Sequence, residues 1–170
     1  MLRNILFSLI MLGVSMSLFA AEDKLANIKQ KVRSEFPAVA QMNTKQLQEL
    51  LSETPDNNIL LLDVRASEEF NVSHLKNAKL TTTLKDALLI LRDVPKDKPI
   101  VAYCSVGYRS SELAQQLAEQ GYHNVYNLEG SIFEWANKGL PVFNQGKQVN
   151  KVHPYNWWWG RLLNKEYHAD

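Results

Sequence analysis

The chain holds a single cysteine, Cys104, in 170 residues. An internal disulfide is therefore excluded, and any thiol chemistry falls to one position. Excess charge is also missing: 19 Lys and Arg stand against 18 Asp and Glu, a formal net charge of +1. That balance does not mark nucleic acid as a partner. Internal repeats, low-complexity runs and clusters of metal-ligating residues are absent too, so no metal site is expected. What remains, 45% hydrophobic and 22% charged, fits one globular domain with appendages rather than two full domains.

The one long apolar run lies at the start. Arg3 precedes a stretch from Ile5 to Ala20 broken by Ser8, Ser15 and Ser17, and Glu22 and Asp23 follow at once. This reads as a secretory signal peptide over residues 1–20, cleaved near Ala20 or Ala21, although Leu18 is a less usual residue ahead of the cut than Ala. An uncleaved anchor is the other reading, for which the segment is a little short. No cysteine follows the run directly, which argues against a lipoprotein. Cleavage removes Arg3 and leaves 18 basic and 18 acidic residues. The expected location is exported, in the periplasm. A lone thiol in an oxidising compartment is open to oxidation or mixed disulfides unless it is buried or used.

Cys104 lies between two readable elements. Ile100 to Tyr103 after Pro99 is a short apolar run, the mark of a buried strand, and Leu113, Ala114, Leu117 and Ala118 share one helical face. The six residues from Cys104 to Arg109 are expected to form the loop between them, with Gly107 allowing a tight backbone and Ser110 as N-cap candidate. Such a loop can turn Ser105, Val106, Gly107, Tyr108, Arg109 and Ser110 into an anion cradle at a helix N-terminus. The same donors would lower the thiol pKa of Cys104 and make its sulfur a nucleophile. The plainer reading is an inert buried cysteine.

Along the rest of the chain, residues 23–36 have helical spacing, residues 39–42 read as a strand, and Asn43 or Thr44 caps a helix broken at Pro55. Ile59 to Leu62 is a buried strand with Asp63 and Arg65 at its carboxyl end. These two either line a ligand cleft or pair to tie loops together, as paired carboxylates commonly do. Glu68 to Asn71 reads as a helical turn, His74 as a hydrogen-bonder in a loop, and Leu84 to Leu91 as a helix. The helix from Ser110 ends at Gly121, a strand follows at Val125, and Gly130 to Asn137 is a helix whose Trp135 anchors the core. Strands alternating with helices predict an α/β fold, a parallel sheet with helices on both faces.

Three motifs in order resemble rhodanese-homology domains. Leu60-Leu61-Leu62-Asp63-Val64-Arg65 with Glu68-Glu69-Phe70 and Ser73-His74-Leu75-Lys76-Asn77-Ala78 is similar to the opening motif. The Cys104 loop comes next, then Leu128-Glu129-Gly130-Ser131, Trp135, Gly139, Leu140 and Pro141 as the closing motif. The chain departs from the usual Gly-His-Ile-x-Gly-Ala by Ser73 and Asn77; Asn tolerates a left-handed backbone, Ser less so. The resemblance spans roughly residues 39–142. It implies a single rhodanese-like α/β domain at 38–143, with a helical extension at 21–37 and a tail at 144–170. Four residues separate Cys104 from Arg109, where cysteine-dependent phosphatases have five and a wider cradle.

The implied activity is that of a sulfurtransferase. A small sulfur-bearing anion such as thiosulfate gives its outer sulfur to Cys104, and cyanide or a thiol removes it from the persulfide. No cofactor beyond that covalent persulfide is expected. Arg109 would draw in the donor, and Ser105, Val106 and Tyr108 would face the entrance. The alternative is a persulfide carrier or redox module serving a dedicated protein partner. Residues 152–163 hold Trp157, Trp158 and Trp159, which either fold back onto the domain or form a partner or membrane-interface surface.

Overall fold

The computed structural model describes residues 25–53 and 58–170. The expected signal peptide and the break at Pro55 lie outside the described residues. Among the described residues, no helix is long and apolar enough to cross a membrane.

Helix α1 covers residues 25–35. It is followed by β1 (Ala40–Met42), α2 (Thr44–Glu53), β2 (Leu60–Asp63), α3 (Ser67–Val72), β3 (Lys79–Leu80) and α4 (Leu84–Ile90). Then come β4 (Ile100–Tyr103), α5 (Tyr108–Glu119), β5 (Val125–Leu128) and α6 (Ser131–Asn137). Local chemistry sets several of these boundaries. Asn43 accepts from the Gln46 N–H while the Gln46 side chain accepts from the Asn43 N–H, a reciprocal cap on α2. Thr83 and Asp86 cap α4 in the same way.

The five strands form one parallel sheet in the order β1-β5-β4-β2-β3. Both faces are covered, which is why β4 reads as an unbroken apolar run. Val101 and Tyr103 point to a core shared with α2, α6 and the C-terminal residues, whereas Ile100 and Ala102 point to a core under α4 and α5. From β2 the chain moves outward to β3, and from β4 it moves the other way to β5. Loops leaving the carboxyl ends of β2 and β4 therefore flank a crevice, the usual ligand position in an open α/β sheet.

Beyond the sheet, β6 (Val142–Asn144) and β7 (Lys147–Val149) form a hairpin turned by Gln145 and Gly146, both at positive φ. Phe143 exchanges two 2.8 Å backbone hydrogen bonds with His74. The tail then folds back, burying Val152, Leu162 and Leu163, and forms the short helix α7 (Trp157–Gly160) and a 3-10 turn (Lys165–Tyr167). Trp157 and Trp158 are left 70% exposed.

Candidate active site

Helix α5 begins two residues earlier than the sequence indicates. Gly107, at φ +116°, is its N-cap, so Tyr108 and Arg109 belong to the first helical turn and the loop proper is Cys104 to Gly107. Ser110 is not the cap; it sits inside the first turn. The reason is Gly107 itself, whose left-handed backbone lets the chain enter the helix at once.

That geometry closes the loop on its own sulfur. The Gly107 N–H lies 3.1 Å from Cys104 Sγ, and Ser110 Oγ lies 3.5 Å from it. Ser110 Oγ is also 2.6 Å from Asn127 Oδ1, and has one proton to give between the two acceptors. The Cys104 N–H donates to Ser131 Oγ at 3.1 Å, while the Cys104 and Ser105 carbonyls accept from the Ile132 and Phe133 N–H groups. The first turn of α6 thus spends its otherwise unpaired donors on holding the loop. Cys104 is 1% exposed. Burial pushes its thiol pKa up, but the Arg109 charge, the Ser110 hydroxyl and the N–H groups of Ser110 and Gly107 outweigh it, and the pKa falls below the ordinary thiol value.

Arg109 is not an open cation. Its Nη1 and Nη2 donate to Glu69 Oε2 and Oε1 at 2.9 and 3.1 Å, and Nη2 also reaches Ser105 Oγ at 3.0 Å. Ser105 Oγ donates in turn to Glu69 Oε1 at 2.9 Å, and the Ala66 N–H reaches Oε2 at 3.0 Å. Glu69 is buried, which pushes its pKa up, yet these bonds and the Arg109 charge hold it below the ordinary carboxylate value. Two expectations are corrected here. Ser105 does not face the entrance, because its hydroxyl is committed between Glu69 and Arg109. Val106 does not either, being buried in the core beneath the loop. Tyr108 stands against Trp159, ring centroids 6.2 Å apart. Beside Arg109 opens a cleft of about 280 Å³ lined by Val64, Thr82, Thr83, Arg109, Glu112 and Gln116.

Asp63 and Arg65 are fully buried and bonded to each other, Nε to Oδ1 at 2.9 Å and Nη2 to Oδ2 at 2.6 Å. Arg65 Nη2 also holds the Ser73 carbonyl at 2.6 Å. The pair ties the β2 loop to the turn before β3; of the two roles open to it, the structure favours tying loops together. Ser73 is extended at φ −168°, so no glycine is needed there, whereas Asn77 takes the left-handed φ of 61°. His74 bonds the Leu75 carbonyl and stacks on Phe70 at 4.1 Å. Among the described residues, no group of three or more His, Cys, Asp or Glu is placed to hold a metal ion.

Three residues that bond within this site carry no functional signal of their own in the sequence: Glu69, Asn127 and Ser131. Glu69 and Ser131 lie inside the opening and closing motifs, which was their only signal. Asn127 gives none. The N-terminal helix also touches the site: Val32 would stand 3.8 Å from a Cβ built on Gly107, and Lys29 and Arg33 pair with Glu129 and Glu134 beside α6.

The parallel sheet thus delivers Cys104 from its central strand to the head of α5, beside the crevice where open α/β sheets take their ligands. The Rhodanese-like domain family matches residues 44–138, more than half of the chain, and the chain belongs to that family. A sulfurtransferase of Allochromatium vinosum is 34% identical over 104 residues, covering 61% of this chain and 94% of that protein. A tRNA uridine(34) hydroxylase of Erwinia tasmaniensis is 37% identical over 101 residues, covering 54% of this chain but 29% of that protein. Among solved structures, a thiosulfate sulfurtransferase of Pseudomonas aeruginosa shares the fold at a TM-score of 0.60 and 17% identity, over 70% of this chain and 22% of that one. The family and the sulfurtransferase relative support sulfur transfer as the general chemistry.

Proposed function

We propose that the chain is an exported sulfurtransferase that takes sulfane sulfur from a small anion such as thiosulfate and passes it to cyanide or a thiol. The observation that carries this reading is the sulfur of Cys104 held by the Gly107 N–H and Ser110 at the head of α5. The Cys104 thiolate attacks the outer sulfur of thiosulfate; a new S–S bond forms, the S–S bond of the donor breaks, and sulfite leaves with the electron pair. The persulfide anion is stabilised by the donors at the start of α5, with no other cofactor. Attack by cyanide on the terminal sulfur releases thiocyanate and restores the thiolate. Arg109 is fixed by its bonds to Glu69 and Ser105, and from that position its charge supports the thiolate and attracts the donor.

The test is intact mass of the purified protein before and after thiosulfate, then after cyanide. Wild type gains about one sulfur atom and loses it on cyanide treatment, and Cys104→Ser gains none. Sulfur uptake by the serine variant would remove Cys104 as the nucleophile. A second reading, a persulfide carrier with a dedicated protein partner, draws on Trp157 and Trp158, which stay 70% exposed where aromatic residues are costly to leave in water. Slow turnover with small acceptors and fast turnover with one exported thiol protein would favour it.

A further inference from the structure

The family match ends at residue 138, yet residues beyond it touch the first turn of α5, next to the Cys104 loop. Two consecutive residues at the start of α5 are covered by the tail: Tyr108 by Trp159, and Arg109 by Tyr155, whose ring centroid lies 4.9 Å from the guanidinium carbon. The placement of Tyr155 is built. Its backbone is held at φ +65°, a strained conformation for an aromatic residue. On one side its N–H donates to His153 Nδ1 at 3.0 Å. On the other, the Asn156 side chain caps α7 by accepting from the Trp158 and Trp159 N–H groups at 3.0 Å. Beneath, Val152 pairs with the chain near His168, and Asn137 of α6 bonds the Leu162 carbonyl at 2.8 Å.

Arg109 is thereby held twice, by hydrogen bonds to Glu69 and Ser105 and by an aromatic ring. Its guanidinium carbon lies over the ring of Tyr155, which shields that side of the cation from water. Covering that side favours the cation directly and strengthens its field at nearby sulfur by excluding solvent.

We propose that the tail is part of the sulfur-transfer site, with Tyr155 a positioning residue that fixes and partly desolvates Arg109 so that its charge selects anionic reagents at Cys104. This rests on Cys104 being the reacting group. Its measurement, however, needs no sulfur donor, so it succeeds or fails apart from the persulfide reading.

The experiment compares alkylation of Cys104 by iodoacetate, an anion, with alkylation by iodoacetamide, which is neutral, in the full-length protein. For Tyr155→Ala the iodoacetate-to-iodoacetamide rate ratio is expected to fall about two- to fivefold, the range matching an exposed cation–π contact. Tyr155→Phe keeps the wild-type ratio, because the ring and not the hydroxyl covers Arg109. Tyr155→Leu, which keeps apolar bulk without the π face, falls with the alanine variant. Tyr155 is 45% exposed, so these variants are expected to fold, and far-UV circular dichroism confirms it. An unchanged ratio in folded Tyr155→Ala or Tyr155→Leu overturns the proposal.

Discussion

At the scale of single residues, the backbone of Gly107 and the charge state of Cys104 are one problem. A Cβ at position 107 would stand 3.2 Å from Asn127 Nδ2, on a backbone at φ +116° that L side chains rarely adopt. Gly107→Ala is therefore expected to cost about 1–3 kcal/mol of stability. It should also turn away the N–H that faces the sulfur, raising the thiol pKa and slowing sulfur uptake by at least about tenfold, the scale of one lost anion-stabilising donor. Urea unfolding and single-turnover persulfide formation measure the two effects. In the wild type, the lowered Cys104 pKa keeps the thiolate populated below the ordinary thiol range. The pH midpoint of iodoacetamide alkylation should accordingly lie lower in native protein than in urea-unfolded protein. The linkage has a definite sign: the unfolded thiol binds its proton more readily. This contribution is full above the unfolded pKa and is lost as pH falls through the folded one. Coincident midpoints would mean that the loop does not stabilise the thiolate.

At the scale of elements, helices α3 and α5 are joined through Glu69, and that join was not readable in the sequence. Strands and helices were readable wherever periodicity spoke: β4 as an apolar run and the inner face of α5 as Leu113, Ala114 and Leu117. The start of α5 was displaced because helix periodicity does not register a cap supplied by a left-handed glycine. Glu69 was hidden for another reason. Its partners Ser105 and Arg109 are 36 and 40 positions away, and only the packing of α3 over the carboxyl end of the sheet brings them together. Asp63 and Arg65, two positions apart, were readable as a pair. Glu69→Ala is expected to destabilise the protein by about 1–3 kcal/mol, because it strips Ser105 and the Ala66 N–H of their buried acceptor. It should also free Arg109 from its fixed position. Since the folded pKa of Glu69 lies below its ordinary value, its contribution is present at neutral pH and lost as pH falls through that lowered pKa. The wild type should therefore lose more stability than Glu69→Ala on acidification below the ordinary carboxylate pKa. Denaturant curves at neutral and acidic pH compare them, and parallel losses would remove Glu69 from the acid response.

At the scale of the molecule, the question is whether the segments flanking the family domain are appendages or part of one cooperative unit. The sequence reads as a domain with a helical extension and a tail, and in the structure both described flanking segments pack into one core. Leu25 and Val32 of α1 are buried, and Val152, Leu162 and Leu163 of the tail share one apolar cluster with Leu128, Phe133 and Trp135. A hydrophobic core shared in this way loses its packing as a whole. The tryptophans make this measurable. Trp157 and Trp158 are already 70% exposed and Trp135 is buried in the domain, so in a Trp135→Phe background intrinsic fluorescence reports on the tail through Trp159, while far-UV circular dichroism reports on the helices of the whole domain. In urea the two curves should superimpose with one midpoint, the signature of two-state unfolding. Leu163→Ala, which empties a buried position in the tail, should move both midpoints down together by an amount equal to about 2–5 kcal/mol. A fluorescence transition that precedes the circular dichroism transition, or a Leu163→Ala effect confined to fluorescence, would make the tail a separately melting flap.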